Sequence, residues 1–370
     1  MSSFTENIIA EIQSKPDELQ LLLERMGTEK NIGIWGTGVA GKTIFNTAKS
    51  LGVNISFFVD GTKDVGHNAT LLGTPVISPR QIAPDAYIII AANVSYGIHL
   101  QLEKQGINTY CYIDPLVFSQ YTKNKKESVI NEISASQFVI DSVYDRLSDD
   151  LSRKTFSNVI IHRANHQLKL LWDVFEPKQY FGNDLVKSVS GCFVDCGAFT
   201  GDTLKAFLSQ VKDSYYMYYA FEPELNNYNA LKDFVEENHL SSVKIFPIGL
   251  WDRKAYLQFK ENETDDTLAW KLEVGDRETD SSIMVDSIDN VLQGAKVDFI
   301  KMDIEGSELK ALDGAKECIK KHKPLMAISA YHELNHIWNV PQKMIEINPS
   351  AKLYYRHHSW NMADTVCYGI

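Results

Sequence analysis

An apolar stripe at helical spacing, Leu19, Leu22, Leu23 and Met26, predicts an amphipathic helix over residues 1–27. Short apolar runs then alternate with helical segments. NIGIWG (31–36), NISFFVDG (54–61), AYIIIAAN (86–93) and NTYCYID (108–114) have strand length, and GKTIFNTAKSLG (41–52) is a helix closed by glycine. This rhythm predicts a small parallel sheet with helices on both faces, built from residues 1–115. Residues 116–185 are polar and strand-poor, with Val139, Val143 and Leu147 spaced by four, and predict two or three helices that join and cap. A second alternating series fills 186–370: GCFVDCG (191–197), MYYAFEP (217–223), VKIFPIG (243–249), VDFIKMD (297–303) and PLMAISAY (324–331). AKLYYRHH and DTVCYGI close it as a two-strand ribbon. The expected fold is therefore α/β throughout, two parallel-sheet domains joined by a helical segment.

Composition narrows the function. The net charge of -11 argues against a nucleic-acid partner, and Lys123, Lys125 and Lys126 read as a solvated connector. The five cysteines, Cys111, Cys192, Cys196, Cys318 and Cys367, include no CxxC pair, which fits a reducing compartment and no disulfide framework. MSSFTENIIAEIQSKPDEL has no signal-peptide pattern, and apolar runs such as YIIIAANV are too short to span a bilayer. The expectation is a cytoplasmic protein with no membrane partner; its oligomeric state is left open.

In the second series, VDCGAFTGDT places Asp195, Gly197 and Gly201 between an apolar strand and a helix. Glycine allows close backbone approach, and the helix N-terminus offers free N–H groups to a carboxylate. Glu222 follows Gly201 by 21 positions at the next strand end, where an acid can accept both ribose hydroxyls. The loop carries no lysine or arginine for a phosphate. A phosphate-free nucleoside joined to an amino acid fits it better than a phosphorylated nucleotide.

VDCGAFTGDT, YAFEPE, IMVDSID, FIKMDIEGSELKAL and YYRHHSW resemble, in order, the landmarks of FkbM-type methyltransferases, over about residues 145–370. The resemblance implies a class I methyltransferase Rossmann-like sheet, S-adenosylmethionine as donor, and O-methylation of a sugar, glycan or glycosylated metabolite. It maps Asp195, Gly197, Phe199, Thr200, Gly201 and Glu222 to the donor site and Asp252, in GLWD, to the adenine end. Trp251 is either a stacking partner there or core. Among strand-end groups, His332 is the expected general base, with Asp303 orienting it and His357 and His358 as substitutes. YFGND (180–184) brings Tyr180 and Phe181 as a lid over the pocket or as core.

Two motifs need weighing. HELNH (332–336) matches the helical zinc pattern HExxH, but His332 directly follows a strand, so a zinc protease is not expected. A divalent ion held by Asp303, His332 and His357 or His358 is a weaker option. GTGVAGKT satisfies both GxGxxG, through Gly36, Gly38 and Gly41, and a phosphate-loop pattern through Lys42 and Thr43. AYIIIAAN ends in Asn93 rather than a magnesium-holding acid, while Asp60 lies 19 positions after Gly41, as a dinucleotide fold requires. A second nucleotide or nucleotide-sugar, a purely structural turn and an ATP or GTP site all stay open for this half. The rival functions are a nucleotide-sugar binding module and an NAD-dependent oxidoreductase; the N-terminal half shows no Tyr-xxx-Lys pair for hydride transfer.

Overall fold

A computed structural model describes residues 2–61, 69–91, 95–112, 125–187, 190–211, 215–260, 271–275, 279 and 282–370. Asn93 and residues 116–124 of the connector lie outside these. The chain divides into two compact units. One comprises residues 1–137, 157–175 and 359–363; the other comprises 138–156, 176–358 and 364–370. The helical segment expected to stand between two domains is thus shared out between them, because its apolar positions are buried in both units.

In the first unit, the single helix expected over 1–27 is two, Phe4–Ser14 and Glu18–Met26. Pro16 interrupts the run, and the Asp17 side chain caps the second helix by accepting from the Leu19 N–H at 2.9 Å. The sheet contains β1 (Ile32–Trp35), β2 (Phe57–Val59), β3 (Thr70–Leu71), β4 (Thr74–Ile77), β5 (Tyr87–Ile90) and β6 (Tyr110–Tyr112), in the order β3-β4-β2-β1-β5-β6. All neighbours are parallel except the β3–β4 hairpin. Ile32, Ile34 and Phe58 pack on one face with Leu19, Leu22 and Ile44, while Trp35, Val59 and Ile88 pack on the other with Ile98 and Leu102. Strands buried on both faces explain why they read as unbroken apolar runs.

The second unit is built on β7 (Gly191–Cys196), β8 (Tyr215–Phe221), β9 (Val243–Phe246), β14 (Phe299–Met302), β15 (Leu325–Ser329), β16 (Leu353–His357) and β17 (Thr365–Gly369). Their order is β16-β17-β15-β14-β7-β8-β9, parallel except at β17, which runs antiparallel to both neighbours. Phe193, Tyr218 and Phe299 stack across the middle strands, and Phe181 packs against Phe193, Phe207 and Phe299. Arg356, only 1% exposed, is anchored by Asp149 at 2.7 Å and Asp184 at 2.6 Å. A second sheet was not anticipated: β10 (Gly249–Leu250), β11 (Ala255–Lys260), β12 (Lys271–Gly275) and β13 (Ser282–Asp286), ordered β10-β13-β11-β12. Among the described residues no helix is long and apolar enough to cross a membrane.

Candidate active site

The reversal of strand order between β7 and β14 opens a crevice at the carboxyl ends of the strands, where open α/β sheets take their ligands. A cavity of about 670 Å³ lies there. Gly197, Phe199, Asp202 and Thr203 of the glycine turn line it, with Glu222 and Glu224 beyond β8 and Asp303 to Glu305 beyond β14.

The turn is held from below. Asp195 is fully buried; its Oδ1 lies 3.0 Å from Lys301 Nζ, and its Oδ2 accepts from the Tyr218 hydroxyl at 2.6 Å. Lys301 also donates to the Gly197 carbonyl at 2.7 Å. Burial works against this ammonium, but Asp195, Asp303 and Asp202 raise its pKa above the ordinary lysine value. Asp195 was expected at the donor site. Instead it is consumed beneath the turn and does not line the cavity. Gly197 has φ +82°, and a Cβ there would come within 2.0 Å of the Asp303 carbonyl oxygen. Glycine is required there because two strand ends touch. Gly201 (φ +85°) faces Leu231, and neither it nor Thr200 lines the cavity. Phe199, at φ +45° and 54% exposed, does.

Glu222 is placed as the spacing required. Its carboxylate accepts the Phe199 N–H at 2.8 Å and the Glu224 N–H at 2.9 Å, leaving lone pairs for further donors. The adenine end differs from expectation. Asp252 is paired with Arg253 at 2.9 Å and Lys310 at 3.0 Å outside the cavity, and Trp251 belongs to a small core with Ala255, Leu257 and Val285. An apolar wall of Ile248, Leu250, Leu257, Ile283 and Val285 lines the cavity on that side, most of it from the second sheet. Its signal in the sequence was weak, because β10 spans two residues and the sheet is interrupted by charged stretches.

At the opposite strand ends, Asp303 lines the cavity and accepts from the Tyr331 hydroxyl at 3.1 Å. His332 Nε2 stands 3.4 Å from Asp303 and 3.6 Å from Glu305, while its Nδ1 is 3.0 Å from Glu308. His332 lies behind Asp303 and is not part of the lining. Burial opposes charge on its ring, yet Glu308, Asp303 and Glu305 raise its pKa above the usual histidine range. Glu308 is fully buried. Burial would raise its carboxyl, but His332, His336 and the Ile304 N–H hold it at about 2. The motif HELNH is not a helical zinc pair: the helix begins at His336, and His332 precedes it. The two rings instead face the two oxygens of Glu308, His336 at 3.2 Å.

His357 and His358 do not reach this edge. The His357 ring meets the Thr365 hydroxyl at 2.8 Å, and His358 is bound between the Glu176 carbonyl and the Tyr368 hydroxyl. Both lie on the buried hairpin, which corrects their reading as substitute bases or metal ligands. Two lining groups, Gln179 and Asp364, were missed, as was Tyr331, the partner of Asp303. Asp364, at φ +56°, accepts from Gln179 at 3.4 Å, and burial together with Asp303 pushes its carboxyl above the ordinary range. No periodic or spacing signal marks it. Tyr180 lines the cavity beside Gln179, whereas Phe181 is core.

In the first unit, a Cβ at Gly36 would approach the Ala91 carbonyl within 2.6 Å, and one at Gly41 would meet the Gly36 carbonyl at 1.9 Å. Gly36 lets two strand ends lie close together, and Gly41 serves strand–helix packing. Gly38 starts the helix Val39–Ser50 with open space around it, and the Thr37 hydroxyl donates to Asp60 at 2.8 Å. Turn and acid are therefore brought together as the spacing required.

Six acids line this cavity, Asp202, Glu222, Glu224, Asp303, Glu305 and Asp364, against Lys301 as the one lining cation among the described residues, itself paired to Asp195. An apolar wall, a ribose-type acid and a negative field suit a cationic nucleoside. With a seven-stranded sheet whose last strand is antiparallel, fold and site define a class I, S-adenosylmethionine-dependent methyltransferase. Residues 195–356 match the family model described as the Methyltransferase FkbM domain. The chain is similar to the methyltransferase FkbM of Methylobacillus flagellatus KT, with 22% identity, 99% of this chain and 98% of that chain covered, and a TM-score of 0.74. That likeness is one of fold. Weaker likenesses are to Aeropyrum pernix fibrillarin (8% identity, 50% and 67% covered, TM-score 0.32) and an rRNA methylase of Streptococcus thermophilus (12%, 55% and 93%, 0.32). A search of curated proteins finds no match.

Proposed function

We propose that the protein methylates a hydroxyl oxygen of a sugar, glycan or glycosylated metabolite. The observation carrying this reading is that one cavity joins the Glu222 end to the Asp303 edge. Gly197, Phe199 and Glu222 would hold the donor's amino-acid and ribose parts, and Ile248, Leu250, Leu257, Ile283 and Val285 would hold its adenine. Bound there, the donor supplies an already activated sulfonium methyl group. What remains for the chain is to align an oxygen and remove its proton. Asp303, which lines the cavity, takes the place of His332 as the group meeting that hydroxyl; His332, Tyr331 and Glu308 position it. Tyr180 and Gln179 exclude water from the acceptor side. All five cysteines are free thiols, in keeping with a cytoplasmic enzyme.

The experiment is transfer of an isotopically labelled methyl group from S-adenosylmethionine to a panel of free sugars, glycosides and glycan fragments, read by mass spectrometry. An acid-stable O-methyl ether is expected. Label recovered only on nitrogen, sulfur, protein or nucleic acid would overturn the assignment of acceptor.

A further inference from the structure

Behind the Asp303 edge, ligand atoms from Asp303, Glu308 and His332 all lie within 4.8 Å of one another. A helix-capping role does not account for this group. Glu308 Oε2, both ring nitrogens of His332 and Nδ1 of His336 are buried without a hydrogen bond of normal geometry, although each stands 3.0 to 3.6 Å from an oppositely charged or polar group of the same cluster. The His332 and Glu308 side chains are 9% and 0% exposed. Buried polar atoms that converge without bonding one another cost free energy unless something else satisfies them. Three carboxylates, those of Asp303, Glu305 and Glu308, stand within 3.6 Å of the His332 ring, with His336 against Glu308, and a cation among them would satisfy these atoms.

We propose that Asp303, Glu308 and His332 form a divalent-cation site, a different ligand set from one built with His357 or His358. Adjacent ligands on an ion with bonds of about 2.1 Å stand about 3 Å apart. The 3.4 Å between His332 Nε2 and Asp303 Oδ1 needs only a small rotation to reach that. One nitrogen and two carboxylate ligands favour a first-row ion such as Mn²⁺ over Ca²⁺. Three protein ligands leave positions for water or an acceptor oxygen, and Asp303 faces the cavity. One oxygen of Asp303 suffices for the ion, leaving the other for the hydroxyl. The ion's catalytic use rests on the methyl-transfer reading; the binding site does not.

The test uses the full chain, stripped of metal with a chelator and titrated with Mn²⁺, reading free Mn²⁺ by electron paramagnetic resonance. One ion per chain is expected to bind, and Glu308→Gln and His332→Gln are each expected to weaken binding by roughly tenfold or more. Circular dichroism keeps the comparison to folded variants, and Asp303→Asn, at the cavity edge, supplies a third should either fail to fold. Full free signal at one equivalent, or binding equal in the folded variants, would overturn the site. Calorimetry with S-adenosylmethionine on the same metal-free samples separates the two readings: donor binding without Mn²⁺ binding removes only the metal site.

Discussion

Lys301 gives the sharpest test of how the glycine turn is held. Lys301→Met removes the only ion-pair partner of Asp195 seen among the described residues, at 3.0 Å, and the bond to the Gly197 carbonyl at 2.7 Å. Asp195 is fully buried and cannot recover water. Breaking one side of such a pair costs about 3–5 kcal/mol. The Tyr218 hydroxyl, 2.6 Å from the other oxygen, still stabilises the carboxylate, so the lower end, about 3 kcal/mol, applies. For a unit of this size that is about 6–12 °C in melting temperature. The double variant Asp195→Asn with Lys301→Met leaves no buried charge and is expected within about 1 kcal/mol of the parent. Scanning calorimetry of all variants, with Asp195→Asn alone as the fourth corner, measures the coupling. Equal losses in Lys301→Met and the double variant would refute the reasoning, because they would mean that Asp195 carries no uncompensated charge once its lysine is gone.

Three further outcomes follow from the same geometry. Gly197→Ala puts a Cβ 2.0 Å from a backbone oxygen at φ +82°, so it should lower the melting temperature of the unit sharply or prevent soluble expression; a normal melt would contradict the packing explanation. Tyr180→Phe deletes a buried hydroxyl with no hydrogen-bond partner among the described residues, so the melting temperature should hold or rise while methyl transfer slows; parental turnover would reduce Tyr180 to packing. His358 is pushed down to about 4, first by burial and then by Arg356. Its unfolded value is about 6.5, so the unfolded chain takes up the proton first; stability is full above pH 6.5 and falls toward pH 4, by at most about 3 kcal/mol. His358→Gln should flatten that part of the urea-midpoint profile, and an unchanged slope would remove His358 as its cause.

The strands of the two larger sheets, β3 and β4 apart, were legible, most of them because strands buried on two faces are written as unbroken apolar runs, and Glu222 because its spacing from the glycine turn is imposed by one strand–helix–strand unit. What escaped depended on groups far apart in sequence. Asp195 carries the type and position of a ligand acid, yet Lys301, 106 residues on, claims it. His332 and His336 looked like a motif in themselves, when their shared partner is Glu308. The apolar wall of the cavity comes from the second sheet, whose strands stand among charged stretches and include β10 of only two residues. Asp364 owes its place to a left-handed turn in the hairpin, which local composition does not announce.

Calorimetric titration of the purified chain with S-adenosylmethionine and S-adenosylhomocysteine, beside Glu222→Ala, bears most directly on the central claim. Glu222 offers its carboxylate from the cavity wall while anchored by two backbone N–H groups. The expected result is one site per chain for both compounds, weakened in Glu222→Ala by roughly 1.5–3 kcal/mol, about 10- to 150-fold in affinity. Absence of binding to the parent chain, or equal affinity in a folded Glu222→Ala, would contradict the assignment of this cavity to the methyl donor.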